Sequence, residues 1–135
     1  MPYITICEEA DEELLALYDH NEDAAATFDV LLEQLDNDKE MLDRLFRPAN
    51  HFLYRPPFEI KQYEAMQRTG RNIFTIKVRG EDGELLPWRL LIGFDSRNDV
   101  YHVLCLAPRS IAYDESDPLF RIVQSRYDNA GLPTH

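Results

Sequence analysis

The sequence is short of several things, and each shortage removes a class of function. It has two cysteines, Cys7 and Cys105, both in apolar, strand-like runs, which is too few for a disulfide framework. They read as buried free thiols in a reducing compartment, so a cytoplasmic protein is expected. Its four histidines and two cysteines show no His-x-x-x-His or paired-cysteine spacing, so a metal site has no motif to rest on and no cofactor is expected. No apolar run approaches the roughly 18–20 residues that cross a bilayer, so no membrane association is expected. The opening MPYITICEEADEE has no basic segment and turns acidic at once, which argues against a secretory signal. Repeats and low-complexity tracts are absent. So is any excess of basic residues: the net charge of −11 argues against non-specific binding of a polyanion.

What is present fits one folded domain. The chain has 135 residues and 44% hydrophobic content, enough for a real core. Its charge is uneven. Residues 1–47 carry 14 Asp and Glu against 3 Lys and Arg, whereas residues 48–135 carry 11 of each. All of the net acidity lies in the first third, and the plain account of it is a solvated pair of helix faces.

The pattern divides the domain into four parts. Residues 1–47 form an acidic strand–helix–helix part. YITIC is a short strand. Glu8 to His20 is an amphipathic helix, and Asn21 caps a second helix whose apolar face is Phe28, Leu31, Leu32 and Leu35. Asp38 recaps a third, short helix through Phe46, stopped by Pro48. Residues 48–71 are a connector, in which HFLY is extended and 58–68 are helical up to Gly70. Residues 72–128 hold a meander and a closing helix. NIFTIKV puts Phe74, Ile76 and Val78 on one side and Thr75, Lys77 and Arg79 on the other. RGEDGE turns the chain, and LLPWRLLIGF sets Leu86, Trp88, Leu90, Ile92 and Phe94 opposite Arg89. DSRND is a second turn and VYHVLCLA a third strand. Asp117 and Pro118 start the last helix. Residues 129–135 are a tail. The expected fold class is α+β: a small twisted antiparallel sheet, the meander plus the N-terminal strand, with helices packed on one face.

The segment GRNIFTIKVRGEDGELLPWRLLIGFDSRNDVYHVLCLAPRSIAY resembles the C-terminal two-thirds of RelE/ParE-superfamily toxins, HigB-like and phage-related members included. In those proteins a basic strand, an arginine-bearing strand and an apolar strand are followed by an arginine and a tyrosine. The resemblance implies a RelE-like fold and a toxin, or a toxin-derived protein, of a toxin–antitoxin system. In the RelE branch it also implies messenger RNA cleavage on the ribosome, a metal-independent ribonuclease reaction in which the ribose 2′-OH attacks the adjacent phosphate. Carried over by position, the catalytic residues are Lys77, Arg89, Arg109 and Tyr113; the implied partners are an antitoxin protein and the messenger RNA with its ribosome. The sequence departs from the family at Thr75, where ribosome-dependent members can carry a second lysine, in the short Arg109-to-Tyr113 spacing, and in net charge.

Each of these residues also has a plainer role open to it. Arg89 can pair with Glu84 or Asp95. Lys77 can solubilise an exposed strand face. Arg109 and Tyr113 can fasten the closing helix through its carbonyls and a backbone group. His102 shares strand parity with Leu104 and Leu106 and reads as a core histidine. Three function classes follow: a toxin-like endonuclease, a non-catalytic protein-binding member of the same fold, and an acidic interaction protein with a basic partner. A further expectation joins charge to fold, with the acidic helices lying over the basic sheet face and shielding it.

Overall fold

A computed structural model describes residues 3–40, 58–80 and 82–134. Within them the chain is α+β. Its elements are β1 (Ile4–Ile6), α1 (Glu8–His20), α2 (Glu22–Asn37), β2 (Phe58–Gln62), α3 (Glu64–Gln67), β3 (Ile73–Arg79), β4 (Leu85–Asp95), β5 (Val100–Pro108), α4 (Arg109–Ala112) and α5 (Pro118–Asn129). The expected third helix beyond Glu40, through Phe46, and the HFLY segment lie outside the described residues. No helix among the described residues is long and apolar enough to cross a membrane.

The sheet has five strands in the order β1-β5-β4-β3-β2. β2 to β5 form an antiparallel meander, and β1 joins β5 in parallel. Two details differ from the sequence expectation. The sheet is mixed, because the chain leaves β1 through two helices and returns to its edge from the far side. The expected helix over 58–68 is a strand to Gln62 followed by a single turn at 64–67. Phe58 and Ile60 had looked like an imperfect helical face; they are alternate residues of a strand paired with Val78 and Ile76.

Both faces of the sheet are covered. On the first face α1 and α2 pack Ala10, Leu14, Leu17, Phe28, Leu31, Leu32 and Leu35 against Ile76, Val78, Leu90, Ile92, Tyr101 and Val103. Asn21 caps α2 by accepting from the Ala24 N–H at 3.1 Å. On the second face Tyr63, Met66, Ala112, Val123 and Tyr127 pack against Ile73, Leu91, Leu104, Cys105 and Ala107. The helices therefore sit on two sides, where the sequence pattern had them on one. Gly93 makes room for α5: a Cβ there would lie 3.0 Å from a ring carbon of Tyr127 and 2.9 Å from Leu132. The tail is tied down as well. The Tyr127 hydroxyl donates to the Pro133 carbonyl at 2.5 Å, and Thr134 bridges to Arg71.

One irregularity in β5 reorganises the sheet locally. Leu91 pairs with Cys105 but Ile92 pairs with Val103, so Leu104 is an extra residue. Strict alternation would put Tyr101, Val103, Cys105 and Ala107 on one face. The bulge sends Tyr101, Val103 and Leu106 to the first face and Leu104, Cys105 and Ala107 to the second. β1 ends beside Val103, which leaves the edge of β5 bare from there on. Side chains cover it. The Glu13 carboxylate accepts from the Leu106 N–H at 3.1 Å and from both Arg126 Nη atoms at 3.0 Å. Arg126 Nη1 also donates to the Leu104 carbonyl at 2.9 Å, and the Cys7 thiol approaches that carbonyl at 3.4 Å. One ion pair thus closes the strand edge and joins α1 on the first face to α5 on the second. Further along the same edge, Asp36 accepts from the Tyr3 and Ile4 N–H groups at 2.8 and 2.9 Å. The thiols beside this pair are poor nucleophiles: burial, then the nearby Glu13, pushes Cys105 up to about 12, and burial also raises Cys7.

Candidate functional site

The strand register brings the sequence-selected residues onto the second face. Cross-strand partners share a face, so Glu59, Lys77, Arg89 and Ala107 form one row across β2, β3, β4 and β5. Lys61, Thr75, Leu91 and Cys105 form the next. Arg109 opens α4 directly after β5, two residues past Ala107. Tyr113 closes that single turn, and its hydroxyl donates to Thr75 Oγ1 in the second row at 3.1 Å. Lys77 and Arg89 therefore stand in one row and the Tyr113 hydroxyl reaches the next, with Arg109 following β5.

Arg89 has the most unusual environment. It is 3% exposed, yet no carboxylate pairs with it among the described residues. Asp95, a partner expected from the sequence, is instead held in its own turn by Arg97 and Asn98. Arg89 Nη1 donates to the carbonyls of Leu86 and Trp88, at 2.9 and 3.0 Å. The need for this is local. Arg79 pairs with Leu85 and Lys77 with Arg89, so Leu86, Pro87 and Trp88 lie opposite Val78 alone. Pro87 has no N–H to give, and the guanidinium caps carbonyls that the distorted ladder leaves over. Nε is buried with no hydrogen-bond partner. The Nε–Nη2 edge of the guanidinium, the edge that takes a carboxylate or phosphate two bonds at a time, is unfilled by the described residues.

The neighbours differ in freedom. Lys77 is half-buried on an interior strand, so it is not an edge residue. Arg109 is exposed and makes no ion pair or hydrogen bond among the described residues; it does not fasten helix carbonyls. Tyr113 is held by a side-chain hydroxyl where a backbone group was expected. Its ring lies 5.7 Å from that of Tyr63, and Tyr63 lies 6.0 Å from Phe120. Burial first, then Glu115, Tyr113 and Asp114 nearby, pushes Tyr63 up to about 12, so this backing ring stays neutral. Beyond Phe120 a groove of about 480 Å³ runs along α5 between Arg71, Arg121, Gln124 and Asp128.

Other residues singled out in the sequence play structural parts. Asp114 accepts from Ser116, and Asp117 caps α5 at Leu119. His102 accompanies Leu104 on the second face but not Leu106, because the bulge intervenes. Its Nδ1 lies 2.7 Å from the Thr5 hydroxyl. The bond between Thr75 and Tyr113, the place of Tyr63 and the Glu13–Arg126 pair were not anticipated. Thr75 and Tyr113 are 38 residues apart, and no local pattern announces their contact. The acidic helices do not shield the cationic row: α1 and α2 pack on the first face, and the row is on the second. The reason is the apolar stripe of α2, which fits Ile76, Leu90 and Ile92 and leaves the carboxylates to water. Comparison with protein-family models, curated proteins and solved structures finds no match to this chain.

Proposed function

We propose that the second face binds the backbone of single-stranded RNA, and that the chain is a RelE/ParE-like toxin that cleaves messenger RNA without a metal. The observation that carries this is Arg89. An ionised guanidinium buried without a counter-charge costs several kcal/mol in an ordinary core (about 3–5 when one partner of a pair is missing). Such a cost is tolerated where the group serves a ligand. A phosphate that reached the unpartnered Nε–Nη2 edge, displacing the groups that now bury it, would neutralise the charge. Lys77 beside it in the row, and Arg109 with its free head, supply the further cations that a charged phosphorane needs.

In the proposed reaction the ribose 2′-oxygen bonds to phosphorus and the bond from phosphorus to the 5′-oxygen breaks. The 2′-OH proton passes to solvent water and the departing 5′-oxygen takes up a proton from solvent, giving a 2′,3′-cyclic phosphate. Arg89 and Lys77 hold the phosphorane oxygens, Arg109 attends the leaving side, and Tyr113 contacts the 2′-hydroxyl. The order of strand, two helices, meander, arginine and tyrosine supports the reading. In a toxin–antitoxin pair an antitoxin protein would cover these groups. A second reading keeps the anion site without the chemistry, as a surface gripping a protein target; it is favoured by Thr75, which stands where a catalytic lysine would.

The test is induced expression of wild type beside Arg89→Ala and Arg109→Ala, with growth followed and messenger RNA ends mapped on ribosomes. Arrest and cleavage that vanish in the variants support the proposal. Folded wild-type protein that neither arrests growth nor cleaves removes it, and RNA binding without cleavage selects the second reading.

A further inference from the structure

We infer that Thr75 is the positioning residue of Tyr113, and that it turns the phenol into a hydrogen-bond acceptor for the ribose hydroxyl of the substrate. The inference rests on the reading of the second face as an RNA site. Thr75 is fully buried in β3, on the same face as Lys77 and two residues from it, about 7 Å along the strand. Its Oγ1 lies 3.4 Å from the Lys61 carbonyl and 3.1 Å from the Tyr113 hydroxyl.

The direction of this chain follows from what each atom can do. A carbonyl only accepts, so the Thr75 proton points to Lys61. Oγ1 is then left with lone pairs, so the Tyr113 proton points to Thr75. A phenol has one proton. Once it is committed inward, the oxygen has only lone pairs left to offer, and Tyr113 as a whole is 40% exposed. The ring has neighbours that help to place it: Tyr63 lies against it at 5.7 Å and Phe120 backs Tyr63 at 6.0 Å. A ribose 2′-OH that donates to this oxygen has its proton held away from phosphorus and a lone pair free for attack. Lysine at position 75 could not play this part, since an ammonium has no lone pair to receive the phenol proton.

Thr75→Val removes the hydroxyl and keeps the shape; Thr75→Ser keeps the hydroxyl. The probe is a labelled single-stranded oligoribonucleotide, assayed alone and on ribosomes programmed with the same message. Thr75→Val is expected to lower kcat about tenfold, the rate equivalent of one hydrogen bond, with KM unchanged. Thr75→Ser should restore it, and in a Tyr113→Phe background Thr75→Val should have no further effect. Thr75→Ala replaces Thr75→Val if its thermal melt shows that valine disturbs the sheet. Wild-type kcat in the valine variant, an equal loss in the serine variant, or an additive loss in the Tyr113→Phe background overturns the inference while leaving the RNA site standing. A wild-type protein that neither binds nor cleaves the probe removes both.

Discussion

Removing the Glu13 carboxylate should cost more than any other single change at the protein's surface edge. Glu13→Ala takes away three hydrogen bonds at once. The Leu106 N–H, on the bare edge of β5, loses its acceptor, and an orphaned backbone donor costs about 1–3 kcal/mol. Arg126, only 14% exposed, loses a bidentate counter-charge. Breaking a buried pair from one side costs about 3–5 kcal/mol. The value here is smaller, because Glu13 is 30% exposed, Arg126 keeps the Leu104 carbonyl, and Glu9 stands 3.8 Å away. Together these give about 3 kcal/mol out of the ~5–15 kcal/mol that stabilises a domain. At roughly 3–5 °C per kcal/mol for this size, Tm should fall by about 10 °C. Arg126→Met should cost about 1 kcal/mol, because the apolar stem still packs and Glu13 still serves Leu106. The double variant should melt no lower than Glu13→Ala alone, since the stranded charge is gone. Circular dichroism melts and urea titrations of the four proteins measure this. A loss below about 1 kcal/mol in Glu13→Ala, or simple additivity, would refute the reasoning and make the pair an ordinary surface contact.

Gly93→Ala should destabilise the fold by about 1–3 kcal/mol, because its Cβ meets the Tyr127 ring, Leu132 and Leu104; urea denaturation reads the loss, and unchanged stability would mean that α5 lifts freely. Stability should also decline on acidification, for two reasons of the same sign. Burial lowers the pKa of His102, so the unfolded chain binds its proton first and stability drops as pH falls below the ordinary histidine range. Asp95 is buried, which alone would raise its pKa, but bonds from Asn98 and Arg97 outweigh this and lower it. Its contribution is present above the ordinary carboxylate pKa and is lost as pH falls through the depressed one. Melts from pH 7 to 3 should show both steps, and His102→Gln should flatten only the upper one.

The parts of the fold legible in the sequence are those where one local period decides the structure. Glu8–His20 is helical over the predicted span, and the Asn21 and Asp117 caps form. Leu86, Trp88, Leu90, Ile92 and Phe94 share the first face as alternation requires. The failures come from non-local causes. Phe58–Gln62 becomes a strand because β3 offers partners further along the chain, from Phe74 to Val78, which no window around it shows. The parity of β5 breaks at Leu104, where Glu13 and Arg126, distant in sequence, stabilise the bulge. In the last helix Val123 and Tyr127 are the buried pair while Ile122 is 45% exposed. At the site, alternation placed Lys77 and Arg89 on a common face. It could not show that Arg89 would be buried without a counter-ion, nor that Tyr113 would bond Thr75, because both depend on how β4 bends at Pro87 and where α4 folds back.

The placement of α1 and α2 on the first face has an electrical consequence. Between Glu8 and Asn37 there are eleven carboxylates and no lysine or arginine, all in the layer on the far side of the sheet from Lys77, Arg89 and Arg109. The protein is therefore an electric dipole whose axis runs through the sheet. An approaching polyanion is repelled most strongly from the acidic side, so its field favours orientations that present the second face. The torque acts over roughly the Debye length, about 8 Å at physiological salt, and weakens as salt is added. The acidic side chains are thus concentrated on one side of the sheet, and they would turn an RNA of the kind proposed toward the opposite face.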